Sequence, residues 1–484
     1  MVFSTSIFLF IFLPVVLAVY MVAGPRLRNI TLLVSSLFFY AWGEHIFVFL
    51  MLGSIVVNWL FGLLIGVFRN NGNSGRLPLF FGVGANLGLL GLFKYANFFI
   101  ANLNPLLLKF QLAPIELEEV HLPIGISFFT FQAISYLVDV YRLEAKPQKN
   151  LIQIALYISL FPQLIAGPII RYKDIAGQIA NRAIKLDHLV NGIQRFIIGL
   201  AKKVLLANVL GRTADHIFSL PADALSADLA WLGAVSYMLQ IYFDFSGYSD
   251  MAIGLGLMFG FRFAENFNLP YSAVSIREFW QRWHISLSTW FRDYLYIPLG
   301  GSKRGALTTY RNLVIVFLLC GLWHGASWTF IAWGLYHGVF LVLERNFFIS
   351  LVLGRLPRPL QHLYVLTVVL CGWVLFRAES LPHAGNFLLA MITFTTPAYF
   401  DSQLYMFLNN EFYLALTIAI VASTPVISKL RHMLTQLENE PQTGKTIIRS
   451  ISSVCTAGFL SCTFLYAIAS IIGGDYNPFL YFRF

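Results

Sequence analysis

Charge is what this sequence has least of. Only 12% of its 484 residues are Asp, Glu, Lys or Arg, roughly half the share carried by a water-soluble domain. Meanwhile 58% are hydrophobic, more apolar surface than a soluble fold of this length can hide. That scarcity excludes an ordinary soluble enzyme and points to a chain whose solvent is mostly lipid. Cysteine is scarce too. Cys320, Cys371, Cys455 and Cys462 all sit in apolar runs and none forms a CxxC. They read as packing residues, with no support for a metal centre or a disulfide framework. Walker spacing and a GxSxG elbow are both missing, so neither a nucleotide cradle nor a serine acyl-enzyme is supported. No long polar linker and no internal repeat divides the chain, which reads as one integral-membrane domain over 1–484.

Charge-free runs occupy 1–25, 46–68, 79–93, 313–343, 412–428 and 451–472. Roughly 20 apolar residues cross the hydrocarbon as a helix, and helices satisfy the backbone where lipid offers it no partner. The runs are continuous, unlike the alternating strands of a membrane barrel. The expected fold is an all-α polytopic membrane protein with roughly eleven to thirteen candidate spans of that length. No basic residue precedes Pro25, whereas Arg26 and Arg28 follow it. A cleaved signal peptide wants a basic start, so the first run reads as a retained helix. Its basic flank then lies in the cytoplasm and the N-terminus outside. The net charge of +10 reads as basic loops drawn to the anionic lipid bilayer. No nucleic-acid module accompanies it, and no nucleic-acid partner is expected.

The polar residues that do occur are concentrated in 279–343, FWQRWHISLSTWFRDYLYIPLGGSKRG followed by an apolar run containing LWHG. His324 lies roughly 18 Å along a helix from Asn312, at about 1.5 Å per residue, deep in a segment long enough to cross. Ionisable side chains there are costly and ask for a reason. A neutral imidazole can accept a proton from a hydroxyl or an amine. It can equally just bond a neighbouring helix. Gly321 and Gly325 flank it and suggest room for a substrate. His337 reads as structural.

His284 stands in RWHISLSTWFRDY. Continuous helix would put Trp280, Trp283 and Leu287 on its side, and Asp293 would join that face only if the helix continues. Arg277, Arg282 and Arg292 crowd the same stretch. Such a cluster reads either as an interfacial belt or as a vestibule for a phosphorylated donor, since guanidinium pairs well with phosphate. Upstream, Asp244 and Asp250 interrupt an apolar run. They are candidates to bond His284 or Arg282, to shape an acceptor path, or to serve a small-anion transporter. The last nine residues, 476–484, form an aromatic C-terminal motif containing Tyr481.

Several stretches together resemble the membrane-bound O-acyltransferase superfamily, and most closely its alginate O-acetyltransferase branch. They include FKYANF, LPIGISFFTFQAISYLVDVYR, LIAGPIIRY, YFDFSGYSDMAIGLGLMFGFRF, ENFNLPY, EFWQRWHISLSTWFRDYLYIPLGG, GLWHGASWTFIAWGLYHG and NPFLYFRF. The resemblance implies a ring of helices around a central funnel, with 279–343 as the catalytic core stretch. It implies His324 as the catalytic residue and His284 as its companion. Arg277, Arg282, Trp283, Arg292, Asp293, Asp244 and Asp250 would line the donor or substrate path. It further implies acetyl-CoA as donor, no tightly bound cofactor and no metal. A periplasmic polysaccharide acetyltransferase would be the partner, and the bacterial inner membrane the location. The final motif resembles an acyl-relay motif, which points to Tyr481. Alginate is the expected acceptor, with bacterial cellulose as the alternative.

Overall fold

Long apolar runs become helices here because every backbone N–H and C=O must find a partner inside its own segment. The computed structural model describes residues 2–393, 404–430, 433, 445–474 and 476–478. All regular elements among the described residues are helical. Five of them are long and apolar enough to cross a membrane: 47–70, 76–109, 306–324, 358–377 and 454–473. Shorter apolar helices cover 8–22, 126–141, 381–392 and 410–422. The candidate spans of the sequence thus resolve into full-length helices and shorter apolar ones.

The centre is built on the 32-residue helix Ala227–Met258, most of which is buried. It packs along Leu186–Ala201 and, beyond a π turn at Lys202–Ala207, along Asn208–Phe218. Glycines set the distance between these two columns. A Cβ on Gly199 would fall 2.5 Å from Gly247 O, and one on Gly254 would fall 2.6 Å from Gly192 O. Backbones this close are the usual solution where lipid gives no hydrophobic drive to helix pairing and van der Waals contact must replace it.

Asp244 and Asp250 ride on that central helix, and neither bonds His284 or Arg282. Asp244 pairs with Lys203 at 2.6 Å. Asp250 takes Arg195 at 2.8 Å and Lys202 at 2.7 Å. A buried carboxylate needs an adjacent cation to offset its desolvation, and the neighbouring helix column supplies one to Asp244 and two to Asp250. These pairs staple the two columns and leave neither carboxylate as an isolated charge for a transporter to use.

One long run divides where the sequence suggested continuity. The apolar stretch 313–343 is two helices, Ala306–His324 and Trp328–Arg345, folded back on each other. Gly325, Ala326 and Ser327 make the turn, with extended backbone at Gly325 and Ser327. His324 is therefore the last residue of its helix rather than a point in mid-span.

Candidate active site

Helix ends place both histidines. His284 falls between Ile276–Arg282 and Ile285–Phe291 and takes a left-handed conformation, φ +44° and ψ +55°. Such a φ is uncommon outside glycine, and His is among the residues that tolerate it. The expected shared face of Trp280, Trp283 and His284 is broken by this kink. The first helix is fixed by its own start: Ser275 accepts from Glu278 N at 3.0 Å, and Glu278 accepts from Val274 N at 2.9 Å, a variant of the capping box. The second flows into a π turn, Arg292–Tyr296, so Asp293 does not share a face with His284.

Around His284 lies a polar network that hinges on Asn266. The Asn266 Oδ1 atom accepts from Ser286 N at 3.2 Å and from Ser286 Oγ at 2.9 Å, while its Nδ2 donates to Ser249 Oγ at 3.0 Å. His284 Nδ1 is 3.1 Å from the same oxygen. An acceptor there assigns the imidazole proton to Nδ1. Nε2 then carries the lone pair, and among the described residues it has no hydrogen-bond partner. Phe245 meets the ring edge-on at 4.6 Å.

Rings surround His324 instead. Trp323, Trp333 and Phe376 meet its imidazole at 4.9, 5.0 and 5.1 Å between centroids. Trp323 also faces His284, at 6.2 Å, so one indole is shared by both imidazoles. The glycines beside His324 do not make room for a substrate. A Cβ on Gly321 would lie 2.2 Å from Phe330 O, and one on Gly325 2.2 Å from the Phe330 ring. Their smallness serves the close crossing of the two helices.

A cavity of about 240 Å³ reaches His324 and Trp323, lined also by Lys94, His121, Pro123, Gly125, Ser127 and Ile165. His121, on its wall, contacts Glu44 at 3.1 Å. Elsewhere a larger polar cavity, about 720 Å³, holds Arg277, Ser302, Glu344, Arg345 and Gln361. An apolar crevice of about 190 Å³ shares Tyr296 and Leu313 with it and extends past Trp280, Leu287 and Arg292 to Cys320. Cys320 is one helical turn before His324 on the same helix face.

The remaining predicted residues divide. Arg277 lines the large cavity, while its backbone N–H and that of Ile276 bond Glu344, at 3.0 and 2.6 Å. Arg292 lines the crevice. Arg282 is turned back onto Glu278 at 2.7 Å. Trp283 is buried against Trp373 at 4.8 Å and Phe267 at 5.1 Å, a packing role. Asp293 bonds Arg171 and Arg292. Burial alone would raise its carboxyl, but those two guanidiniums prevail and hold it below the usual carboxylate range. His337 is fully buried against Trp280 and Trp333, as a structural histidine would be. Tyr481 lies outside the described residues.

Residues before Tyr481 are pinned rung by rung. Tyr476 OH donates to Asp215 at 2.7 Å, and Arg377 holds the other oxygen of that carboxylate at 2.7 Å. Asn208 donates to Tyr476 O and to Asn477 Oδ1, both at 3.3 Å. Lys203, already paired with Asp244, also bonds Pro478 O. The segment thus runs down Asn208–Phe218 toward the middle of the central helix, where Asp244 precedes Phe245, the ring against His284. Asn266, Lys94 and this ladder were not singled out as site residues in the sequence. Asn266 and Lys94 stood inside stretches of the resemblance and most of the ladder outside them, but nothing in spacing showed which partner each would meet.

Comparison with known proteins finds similarity along most of the chain. The pattern of the membrane-bound O-acyltransferase family matches residues 119–375. The probable alginate O-acetylase AlgI of Pseudomonas putida is 44% identical over 497 aligned positions, covering 100% of both chains. Its counterpart in Pseudomonas aeruginosa is 49% identical, covering 82% of this chain and 76% of its own. The peptidoglycan O-acetyltransferase of Helicobacter pylori is 39% identical, covering 81% and 79%.

Proposed function

The chain belongs to the membrane-bound O-acyltransferase family and is a membrane acyltransferase, and from that premise we propose that it passes an acetyl group across the bacterial inner membrane for O-acetylation of alginate. The polymer follows relatives similar along their whole length, which are named as probable alginate O-acetylases. One observation carries the chemistry: two buried imidazoles share the Trp323 indole, with one cavity reaching His324 and another reaching Cys320, one turn earlier on the same helix.

The donor is acetyl-CoA. Arg277 and Arg345 in the large cavity suit its phosphates, and the apolar crevice toward Cys320 suits its thin thioester arm. His324 takes the proton of the accepting hydroxyl, which is the Tyr481 phenol. That oxygen attacks the thioester carbonyl carbon, the C–S bond breaks, and CoA leaves as thiol with a proton returned by the imidazole. His284, with its free Nε2, is the second proton carrier. The ester then passes to a periplasmic acetyltransferase. The pinned Tyr476–Pro478 segment supports this relay, because Pro478 O bonds Lys203, the partner of Asp244, which precedes the ring against His284. Rings around His324 exclude water from the thioester. An N-terminus on the periplasmic side fits Arg26 and Arg28 at the cytoplasmic end of the first helix.

The test is a His324→Ala variant expressed in an alginate-producing host. It should insert at the wild-type level and leave the polymer without acetyl ester. Undiminished acetylation would remove the assignment. Acetyl ester on cellulose or peptidoglycan in place of alginate would keep the chemistry and change the acceptor.

A further inference from the structure

The helix ending at His324 leaves its last carbonyls without intrahelical partners. Two consecutive residues of the FKYANF stretch supply them. Tyr95 OH donates to Leu322 O at 2.7 Å. Lys94 Nζ donates to Trp323 O and, at 3.3 Å, to His324 O. Its third proton goes to Ser127 Oγ at 3.2 Å, in the first turn of Ile126–Tyr141. Lys94 is only 7% exposed and among the described residues forms no ion pair. An ammonium placed there is costly, and what it gains is two carbonyl oxygens at the negative end of a helix dipole and one serine hydroxyl. The pair comes from a π turn, Gly91–Tyr95. A π turn holds more residues than an α turn and so narrows the angle between successive side chains. Such turns recur at functional sites.

We propose that Lys94 and Tyr95 are positioning residues: together they cap the helix that carries His324 and fix the backbone from which its imidazole and the shared Trp323 indole project. The three carbonyls they hold are those of Leu322, Trp323 and His324, consecutive and immediately before the turn. Lys94 also lines the cavity that reaches His324, so the cap faces the reacting space rather than lipid. All three of its protons are engaged by protein oxygens, which makes it a holder of the base and not a ligand for substrate. The proposal rests on the reading of His324 as the base.

The test uses the full-length protein in membranes, with acetyl-CoA as donor and release of CoA as the rate. Amounts are normalised to folded protein by thermal shift. Lys94→Met, which keeps length and loses every donor, should lower kcat between about tenfold and a hundredfold, the range for losing charged hydrogen bonds. The KM for acetyl-CoA should stay within about twofold, since uniform binding is untouched. Lys94→Arg restores cation and donors and should recover kcat to within about threefold of wild type. A merely structural cap would change the folded fraction and leave kcat of the folded protein alone, with no rescue by Arg. If Lys94→Met does not fold, Tyr95→Phe decides: about fivefold lower kcat at unchanged KM supports the proposal, and unchanged kcat overturns it. Lys94→Met at wild-type kcat, or Lys94→Arg no faster than Lys94→Met, also overturns it. Wild type no faster than His324→Ala would instead overturn the reading of the site, and this proposal with it.

Discussion

The two buried histidines are held in opposite ways. His284 is fixed through its own ring: Asn266 Oδ1 meets Nδ1 and leaves one defined lone pair on Nε2. His324 is fixed through its surroundings, with three aromatic rings against the imidazole and a helix whose final carbonyls are tied by Lys94 and Tyr95. A hydrogen bond at the ring sets which nitrogen carries the proton. A cage of rings sets position and excludes water. The division suits a base that must gain and lose a proton beside a companion whose tautomer stays constant.

Breaking the caged side should cost most. Replacing His324 with Ala removes the base, and rates of acetyl-CoA-dependent acetylation should fall by about a thousandfold, within the span for general bases. Measured activity within tenfold of wild type would put the base elsewhere. On the other side, Asn266→Leu leaves the His284 ring in place and takes away what orients it. A buried donor then lacks its partner, and kcat should fall by about tenfold to thirtyfold while His284 is still present. If Asn266→Leu is silent and His284→Ala is not, the tautomer argument fails and only the ring's bulk matters. Next in size is the donor side. Arg277→Gln with Arg345→Gln should raise the KM for acetyl-CoA by about fivefold and spare kcat, because loss of phosphate contacts remote from the thioester weakens binding of ground state and transition state alike. An unchanged KM would move the donor out of that cavity.

How much of this could be read beforehand varies from residue to residue. The membrane class followed from missing charge, since lipid leaves few places for it. His324 stood out because an ionisable group in a charge-free run has few reasons to be there. Its place at a helix end did not, because Gly325–Ser327 is too short and too weakly polar to mark a turn inside an apolar run. Asp244 and Asp250 were visible as costly, yet their partners Lys203, Arg195 and Lys202 lie 41 to 55 positions away in the chain. Only tertiary packing brings them together. The kink at His284 was hidden for a related reason: local propensity favours helix through RWHISL, and the contacts of Asn266 with Ile285 N, Ser286 and His284 override it. Such long-range constraints carry no local signature.

The smallest effect should appear where the His284 side meets the basic surface. Ile285–Phe291 runs straight into the turn bearing Asp293, and that carboxylate is held by Arg171 and Arg292. Its carboxyl is held below the ordinary range once those guanidiniums outweigh burial. A group lowered by folding stabilises the fold above its unfolded value, near 3.9, and loses that contribution as pH falls through its folded value. Asp293→Asn should therefore lower the melting temperature of the purified protein at pH 7, by about 1–2 °C for a chain of this size with solvent-screened pairs. The gap from wild type should stay open down to about pH 4 and narrow as acid protonates the native carboxylate below that. The caged side offers a control, because Lys94 and Tyr95 hold carbonyls and no carboxylate takes part in that cap. Tyr95→Phe should shift the melting temperature by the same amount at about pH 2–3, below the unfolded carboxyl value, as at pH 7. A Tyr95 effect that faded in acid along with that of Asp293 would mean both histidines hang on one surface ion cluster, and the separation between a hydrogen-bonded side and a caged side would collapse.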